Sequence, residues 1–380
     1  MRMAFTSTYD TSDLGAWSGT IFHMLAALSE SGFEVDVVDK LIDPYSLVFK
    51  AKRLIKNIVL KKNYLRDREP LTLKCYARQV EGRLSTMKPD IVFSPGTKPI
   101  AYLRTSKPII FWTDATFDGM INFYPEFTNL CDETIRNGRR MEQAALSNSR
   151  LAIYSSEWAA QTAIRYYNVD SRKIKVVPFG ANLARSPSAD EVREAIASRG
   201  SGVCKLLFVG IDWYRKGGDK ALAVASILNQ QKLDAELHVV GCEPPQPLPA
   251  FVKTHGFLSK SNREQNERIL RLYETSDFLV LPSKAESFGI VIAEANAFGL
   301  PALTTDVGGM RTAVRDGKNG WAFDRRCFVE QCAEYILQTI SSTERYHQLC
   351  ASSFREYSER LNWRSAVQSV RNLIASEGPL

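Results

Sequence analysis

Residues 283–299 read SKAESFGIVIAEANAFG. Two carboxylates, Glu286 and Glu294, bracket a glycine-bearing turn and a segment with almost no polar face, carrying Ile290, Val291, Ile292, Ala293, Ala295, Ala297 and Phe298. A helix that is apolar nearly all round is a buried helix. Glu294 therefore sits where an ionised carboxylate is costly unless something hydrogen-bonds it. Two kinds of partner meet that need: a ligand, or an arginine or lysine elsewhere in the core. The geometry adds weight to the ligand. Ser287 is the expected N-cap, Gly289 admits close approach to the first turn, and the free N–H groups there attract anions, phosphate above all. Helical side chains lean toward the N-terminus, so Glu294 points back at the same region. The chain rises roughly 9–12 Å between the two carboxylates, comparable to a sugar–diphosphate–ribose unit. On this reading Glu286 meets sugar hydroxyls, the helix start meets the diphosphate, and Glu294 meets the ribose.

Outward from this segment, short apolar runs alternate with amphipathic stretches. MRMAFTS, a helix from about Ser18 to Ser31 and VDVVD form a β-α-β start. Further strands are expected at 90–95, 108–114, 151–155 and 174–180, with helices at 71–86, 131–147 and 157–167. The stretch 183–200, LARSPSADEVREAIASRG, is polar with one short helical piece and reads as a connection. A second series follows, with strands at 205–210, 236–241, 278–283 and 300–306, and a largely helical tail from Thr343 to Ser376. Such alternation predicts α/β architecture, with two doubly wound parallel sheets and the ligand at the carboxyl ends of the strands. The expected division is residues 1–182, a linker at 183–200, a second domain at 201–345 and C-terminal helices at 346–380.

Size and composition agree. The 380 residues suffice for two cores, and 44% hydrophobic with 24% charged residues is ordinary for a soluble globular protein. No apolar run reaches the ~18 residues a membrane helix needs, and MRMAFTSTYD reads as a first strand rather than a signal peptide. Seven scattered cysteines without a CxxC or a Cys/His cluster read as the reduced thiols of a cytoplasmic protein, and no metal site is expected. The formal charge of +7 suits anionic partners without choosing among them.

Four other stretches carry candidate chemistry. In VGIDWYRKGGD, Arg215 and Lys216 lie in a glycine-bearing turn before a helix expected near Asp219. They suit a departing diphosphate, or form a solvated turn with exposed charges. In TSTYDTSDLGAWSGTIF, Ser18, Gly19 and Thr20 open a helix, and the backbone N–H groups of this turn either face a diphosphate or leaving group or belong to a simple N-cap with Trp17 as packing. In FWTDATFDG, Asp114 ends a strand and either meets a substrate hydroxyl or caps the next turn. In 46–68, eight lysines and arginines interleave with apolar residues. That segment fits an anionic bilayer, a groove for an acidic or lipid-linked acceptor, or a solvated face packed on its domain. No nucleic-acid module accompanies the charge. His238 alternates with apolar residues and reads as core. The absence of a Ser-His-Asp or metal constellation disfavours hydrolase and metalloenzyme chemistry, and the missing G-x-G-x-x-G disfavours a dehydrogenase.

The 283–299 segment resembles the E-x7-E signature of family 4 retaining glycosyltransferases, and LPALTTDVGG and DGKNGWAF extend the likeness. The resemblance implies a GT-B fold, two Rossmann-like domains facing a cleft, with the last helix, similar to NWRSAVQSVRNLIAS, crossing back to the first domain. It implies metal-independent transfer from a UDP- or GDP-type sugar nucleotide to a hydroxyl of a glycan or lipid-linked acceptor. It assigns Glu286, Lys216, Arg215 and Asp114 to catalysis, and Gly19, Leu258, Ser287, Phe288, Gly289, Ile290 and Glu294 to the donor. Two departures stand out. The family's early arginine is Ile211 or Asp212 here, so Arg215 would substitute. The family's His-Asp pair is Thr113-Asp114. The rivals are a sugar-nucleotide epimerase and a non-catalytic donor-binding subunit. The expected location is the cytoplasm, at the inner face of a membrane if 46–68 binds one.

Overall fold

The computed structural model describes residues 1–200 and 202–377. Contacts divide these into two units: Met1–Val177 with the residues from Val367 onward, and Pro178–Ala366.

The first unit is built on six parallel strands: β1 (Arg2–Thr6), β2 (Glu34–Val38), β3 (Ile91–Ser94), β4 (Ile109–Thr113), β5 (Leu151–Tyr154) and β6 (Ile174–Val176). Their order is β2-β1-β3-β4-β5-β6, and Met3 lies opposite both Val35 and Ile91. Every residue of β3, β4 and β5 is buried. A parallel sheet covered by helices on both faces requires such continuous apolar runs. On one face Val80 and Leu84 of the helix Pro70–Met87 pack with Val92, Phe111 and Tyr154. The first helix starts at Thr20 rather than Ser18. Trp17, Ser18 and Gly19 have φ of 49°, 56° and 81°, a left-handed run that cannot continue into a right-handed helix. In the tail that joins this unit, Arg371 donates to the Ser31 carbonyl and lies 5.6 Å from the Phe33 ring.

The second unit repeats the plan with β7 (Cys204–Val209), β8 (Ala235–Val240), β9 (Val252–Thr254), β10 (Phe278–Leu281), β11 (Ala302–Thr305) and β12 (Gly320–Phe323), in the order β12-β11-β10-β7-β8-β9. β9 lay outside the expected strands: it is three residues long with two exposed side chains, so it offers no apolar run to read. The stretch 183–200 is part of this unit. Ala189–Ser198 is a helix closed by a Ser188–Glu191 capping box, and Val192 and Ile196 enter the core.

In each sheet the strand order reverses once. The reversal falls between β1 and β3 in the first unit and between β7 and β10 in the second. Connections leave for opposite faces at such a point, which opens a crevice beyond the carboxyl ends of the two strands.

Candidate active site

The loops that follow β7 and β10 meet at the reversal in the second unit. Asp212 accepts from the Arg215 N–H at 2.9 Å and caps a one-turn helix, Trp213–Lys216. Gly217 then takes φ 78° and the next helix begins at Gly218, so Arg215 and Lys216 sit on a helical turn rather than in the open turn expected. A Cβ at Gly217 would lie 2.1 Å from the Pro282 carbonyl oxygen, and one at Gly210 would lie 2.7 Å from the Lys216 side chain. Two glycines therefore let the turn press against the end of β10 while the Lys216 stem crosses Gly210. The Lys284 N–H donates to the Arg215 carbonyl at 2.7 Å and ties the two loops.

The result is a half-enclosed charge cluster. Lys216 Nζ donates to Glu286 Oε2, and each side chain is only 13% exposed. Arg215 Nη1 donates to the Ala285 carbonyl at 3.1 Å and stands 4.0 Å from Glu286 Oε2. Such low exposure removes the reading of a solvated turn. The Glu286 carbonyl accepts from Gly309, and the Thr305 hydroxyl donates to the Ser283 carbonyl at 2.5 Å, which fixes the 283–286 backbone.

The helix after this loop runs from Ile290 to Ala297, with Val291–Ala297 buried. Its N-cap is Gly289 at φ 83°, not Ser287, and no side chain caps the first turn. Ser287 is buried, and the Phe288 ring packs edge-on against Phe179 at 5.6 Å. Asn319, in the GKNGW stretch, donates to Asn296 at 2.7 Å and to the Ala313 carbonyl at 2.9 Å, locking the far end of the helix.

Glu294 is 2% exposed and has partners inside the protein. Lys260 Nζ donates to Oε1 and the Tyr273 hydroxyl to Oε2 at 2.9 Å. Lys260 also reaches the Asn182 carbonyl at 3.1 Å. The buried carboxylate is thus neutralised by a neighbouring cation, the second of the two partners its burial demanded. Burial alone no longer calls for a ligand there. Lys260 lies in the THGFLSK loop, two residues past Leu258, whose side chain is buried. Tyr273 had no signal in the sequence beyond an apolar helical position. In the same loop His255 Nε2 lies 3.0 Å from His238 Nδ1, and His238 Nε2 lies 3.1 Å from Glu236. His238 is therefore half-buried and paired rather than core. Burial lowers the pKa of both imidazoles.

In the first unit, Trp17 Nε1 donates to Asp114 Oδ2 at 3.3 Å, joining the left-handed loop that ends at Gly19 to the end of β4. Three successive positive φ values, two on non-glycine residues, mark this as a strained site. Thr116 caps the helical turn that follows, accepting from the Gly119 N–H. Trp17 is more than packing, since its indole N–H is spent on Asp114. A small cavity opens at the β1/β3 reversal. Ser7, Thr8 and Tyr9 line it from one strand end and Ser94, Gly96 and Lys98 from the other. Lys98 Nζ is 3.1 Å from Asp67 and 5.2 Å from the centre of the Tyr9 ring.

Two family descriptions match the chain. Residues 198–353 match Glycosyl transferases group 1, and residues 19–185 match Glycosyltransferase Family 4. The chain belongs to glycosyltransferase family 4. It is similar to the D-inositol 3-phosphate glycosyltransferase of Geodermatophilus obscurus, 31% identical over 246 residues, which are 60% of this chain and 53% of the relative. The matched part spans about half the length of the curated relatives, 53% in the Rhodococcus opacus protein of the same name. Among solved structures, sucrose-phosphate synthase from Thermosynechococcus elongatus has a TM-score of 0.68 at 16% identity, covering 99% of both chains. Anabaena HepE in complex with UDP-glucose has a TM-score of 0.64 at 16% identity, covering 99% of this chain and 100% of HepE. These likenesses establish the family's GT-B fold.

Proposed function

We propose that this family 4 chain transfers a sugar, with retention at the anomeric carbon, from a UDP- or GDP-type sugar nucleotide to a hydroxyl acceptor. The observation that carries the reading is the Arg215–Lys216–Glu286 cluster at the β7/β10 reversal. It sets two cations and a carboxylate, all poorly hydrated, where an α/β sheet receives a ligand. The bond between the anomeric carbon and the diphosphate oxygen breaks. The acceptor oxygen bonds to that carbon on the same face, and its proton passes to the departing diphosphate oxygen. Arg215, Lys216 and the uncapped first-turn N–H groups at Gly289 and Ile290 stabilise the negative charge that develops, without a metal ion in this role. Glu286 orients the sugar through its hydroxyls. Glu294 takes the ribose only when Lys260 shares or gives up its carboxylate oxygen. For the acceptor, the reading is supported by the Trp17–Asp114 contact at the end of β4. The acceptor is a glycan or lipid-linked hydroxyl met in the cytoplasm, with peripheral membrane contact through 46–68.

A thermal-shift screen of nucleoside diphosphates and their sugars tests donor binding, followed by product analysis with the stabilising donor and an acceptor panel. The expected result is a new glycoside. Conversion of the donor to an epimer without acceptor, or binding with no turnover on any acceptor, would overturn the transferase reading.

A further inference from the structure

The helix Ser46–Val59 turns to solvent the face that a helix on a globular domain ordinarily buries. Its one buried residue is Phe49. Leu47, Val48, Leu54, Ile55, Ile58 and Val59 are between 61% and 76% exposed. They fall at spacings of seven and four in two adjacent rows, which is one continuous face of an α-helix. Contiguous exposed apolar surface of this kind marks a docking site.

The orientation is enforced by charge. Lys52 Nζ is 2.8 Å from Glu69 and 2.6 Å from Glu133, and Lys56 Nζ is 3.3 Å from Glu133. Rolling the helix to bury its apolar rows would break all three ion pairs and leave the 7%-exposed Glu69 carboxylate without its lysine. Burial alone would lower the Lys52 pKa; its bonds to Glu133 and Glu69 outweigh that and raise it, so Lys52 stays charged between them.

We infer that this face docks on an anionic lipid bilayer. The inference rests on the proposed function for what the membrane presents, and on the helix alone for the docking. The choice of occupant follows from the charges around the apolar rows. Lys50 flanks them, Lys61 and Lys62 follow the helix end, and all three are exposed. A second copy would bring these cations against their own images, whereas anionic headgroups satisfy them while the acyl boundary takes the apolar side chains. Fourteen residues rise only about 21 Å, so the helix lies in the interface rather than crossing it. Among the described residues no helix is long and apolar enough to span a membrane.

The test is co-sedimentation of the full chain with phosphatidylcholine vesicles, with and without phosphatidylglycerol, beside analytical ultracentrifugation without lipid. Wild type is expected to sediment only with the anionic vesicles. The double variant Ile55→Glu/Ile58→Glu, altered only at exposed positions, should keep its thermal melt and lose binding by at least about tenfold. Lys61→Ala/Lys62→Ala should weaken binding roughly tenfold or more, and added salt should do the same. Absent or equal binding of wild type and Ile55→Glu/Ile58→Glu, or a dimer in wild type that this variant abolishes, would overturn the inference. The donor thermal shift on the same samples separates the two readings. Vesicle binding without a donor shift leaves the docking standing and removes the transferase function, and the reverse result does the opposite.

Discussion

Lys216 and Glu286 are seventy positions apart in sequence and share a hydrogen-bonded ion pair at the carboxyl ends of β7 and β10. The pair exists because the chain reverses its strand order between these two strands, so the loops that leave them have the same crevice to fill. A lysine already held by a carboxylate is pre-positioned, and on the proposed function an arriving diphosphate competes for a cation whose place is set. Positioning of that kind favours a transition state that gathers charge over a ground state that merely binds.

Lys216→Ala should therefore slow turnover more than it weakens donor binding. The expected fall in kcat is about 10²–10³-fold, the usual cost of removing one preorganised electrostatic donor. Steady-state kinetics with the identified donor, set against its Kd by calorimetry, separates the two effects. A rise in Kd alone, with kcat unchanged, would show that Lys216 only binds.

Glu294 depends on Lys260 for its charge balance. Lys260→Met leaves a 2%-exposed carboxylate with Tyr273 alone, and should cost about 2–4 kcal/mol in urea unfolding. Glu294→Gln, which removes the charge with little change of shape, should cost less than Lys260→Met. If the ribose role holds, Glu294→Asp should weaken donor binding in the thermal-shift assay while leaving kcat at saturating donor nearly unchanged.

Gly217→Ala combines a backbone at φ 78° with a Cβ placed 2.1 Å from the Pro282 carbonyl oxygen. The expected loss is about 2–4 kcal/mol of stability, together with a drop in activity, because relief of the overlap pushes the Arg215–Lys216 turn away from Glu286. Unfolding midpoints and kinetics on the same preparation check both.

Glu142 gives the fold of the first unit a pH signature. Burial pushes its pKa from 4.5 up to about 7, against the smaller opposing effect of the Thr97 hydroxyl, which donates to it at 2.9 Å. The folded pKa is raised, so the folded state holds the proton longer than the unfolded one. The contribution of this group to stability therefore falls as pH rises from about 4.5 to about 7, and is level outside that window. Glu142→Gln should match wild type near the acid end and be more stable by up to about 3 kcal/mol above pH 7. Urea titrations across the window, compared between the two proteins, measure the difference.

Local sequence carried the two-sheet plan. The apolar runs of β3, β4, β5 and β10, alternating with amphipathic stretches, read as buried parallel strands, because each side chain must find an apolar neighbour on one face or the other. The same logic foretold a buried Glu294. Which atoms neutralise Glu294 was not legible, since Lys260 and Tyr273 come from another loop and another helix and are brought in by the sheet. For the same reason the Trp17–Asp114 bond was hidden: 97 residues separate its ends, and only the adjacency of strand ends in the first sheet joins them. The helix Ser46–Val59 shows the division most plainly. Its residues announced an amphipathic helix with a basic side, while ion pairs to Glu69 and Glu133, two carboxylates outside it, decided which side faces water. Periodicity is a property of neighbouring residues and can be read along the chain. The partner of a charge belongs to the packing, and only the folded chain selects it.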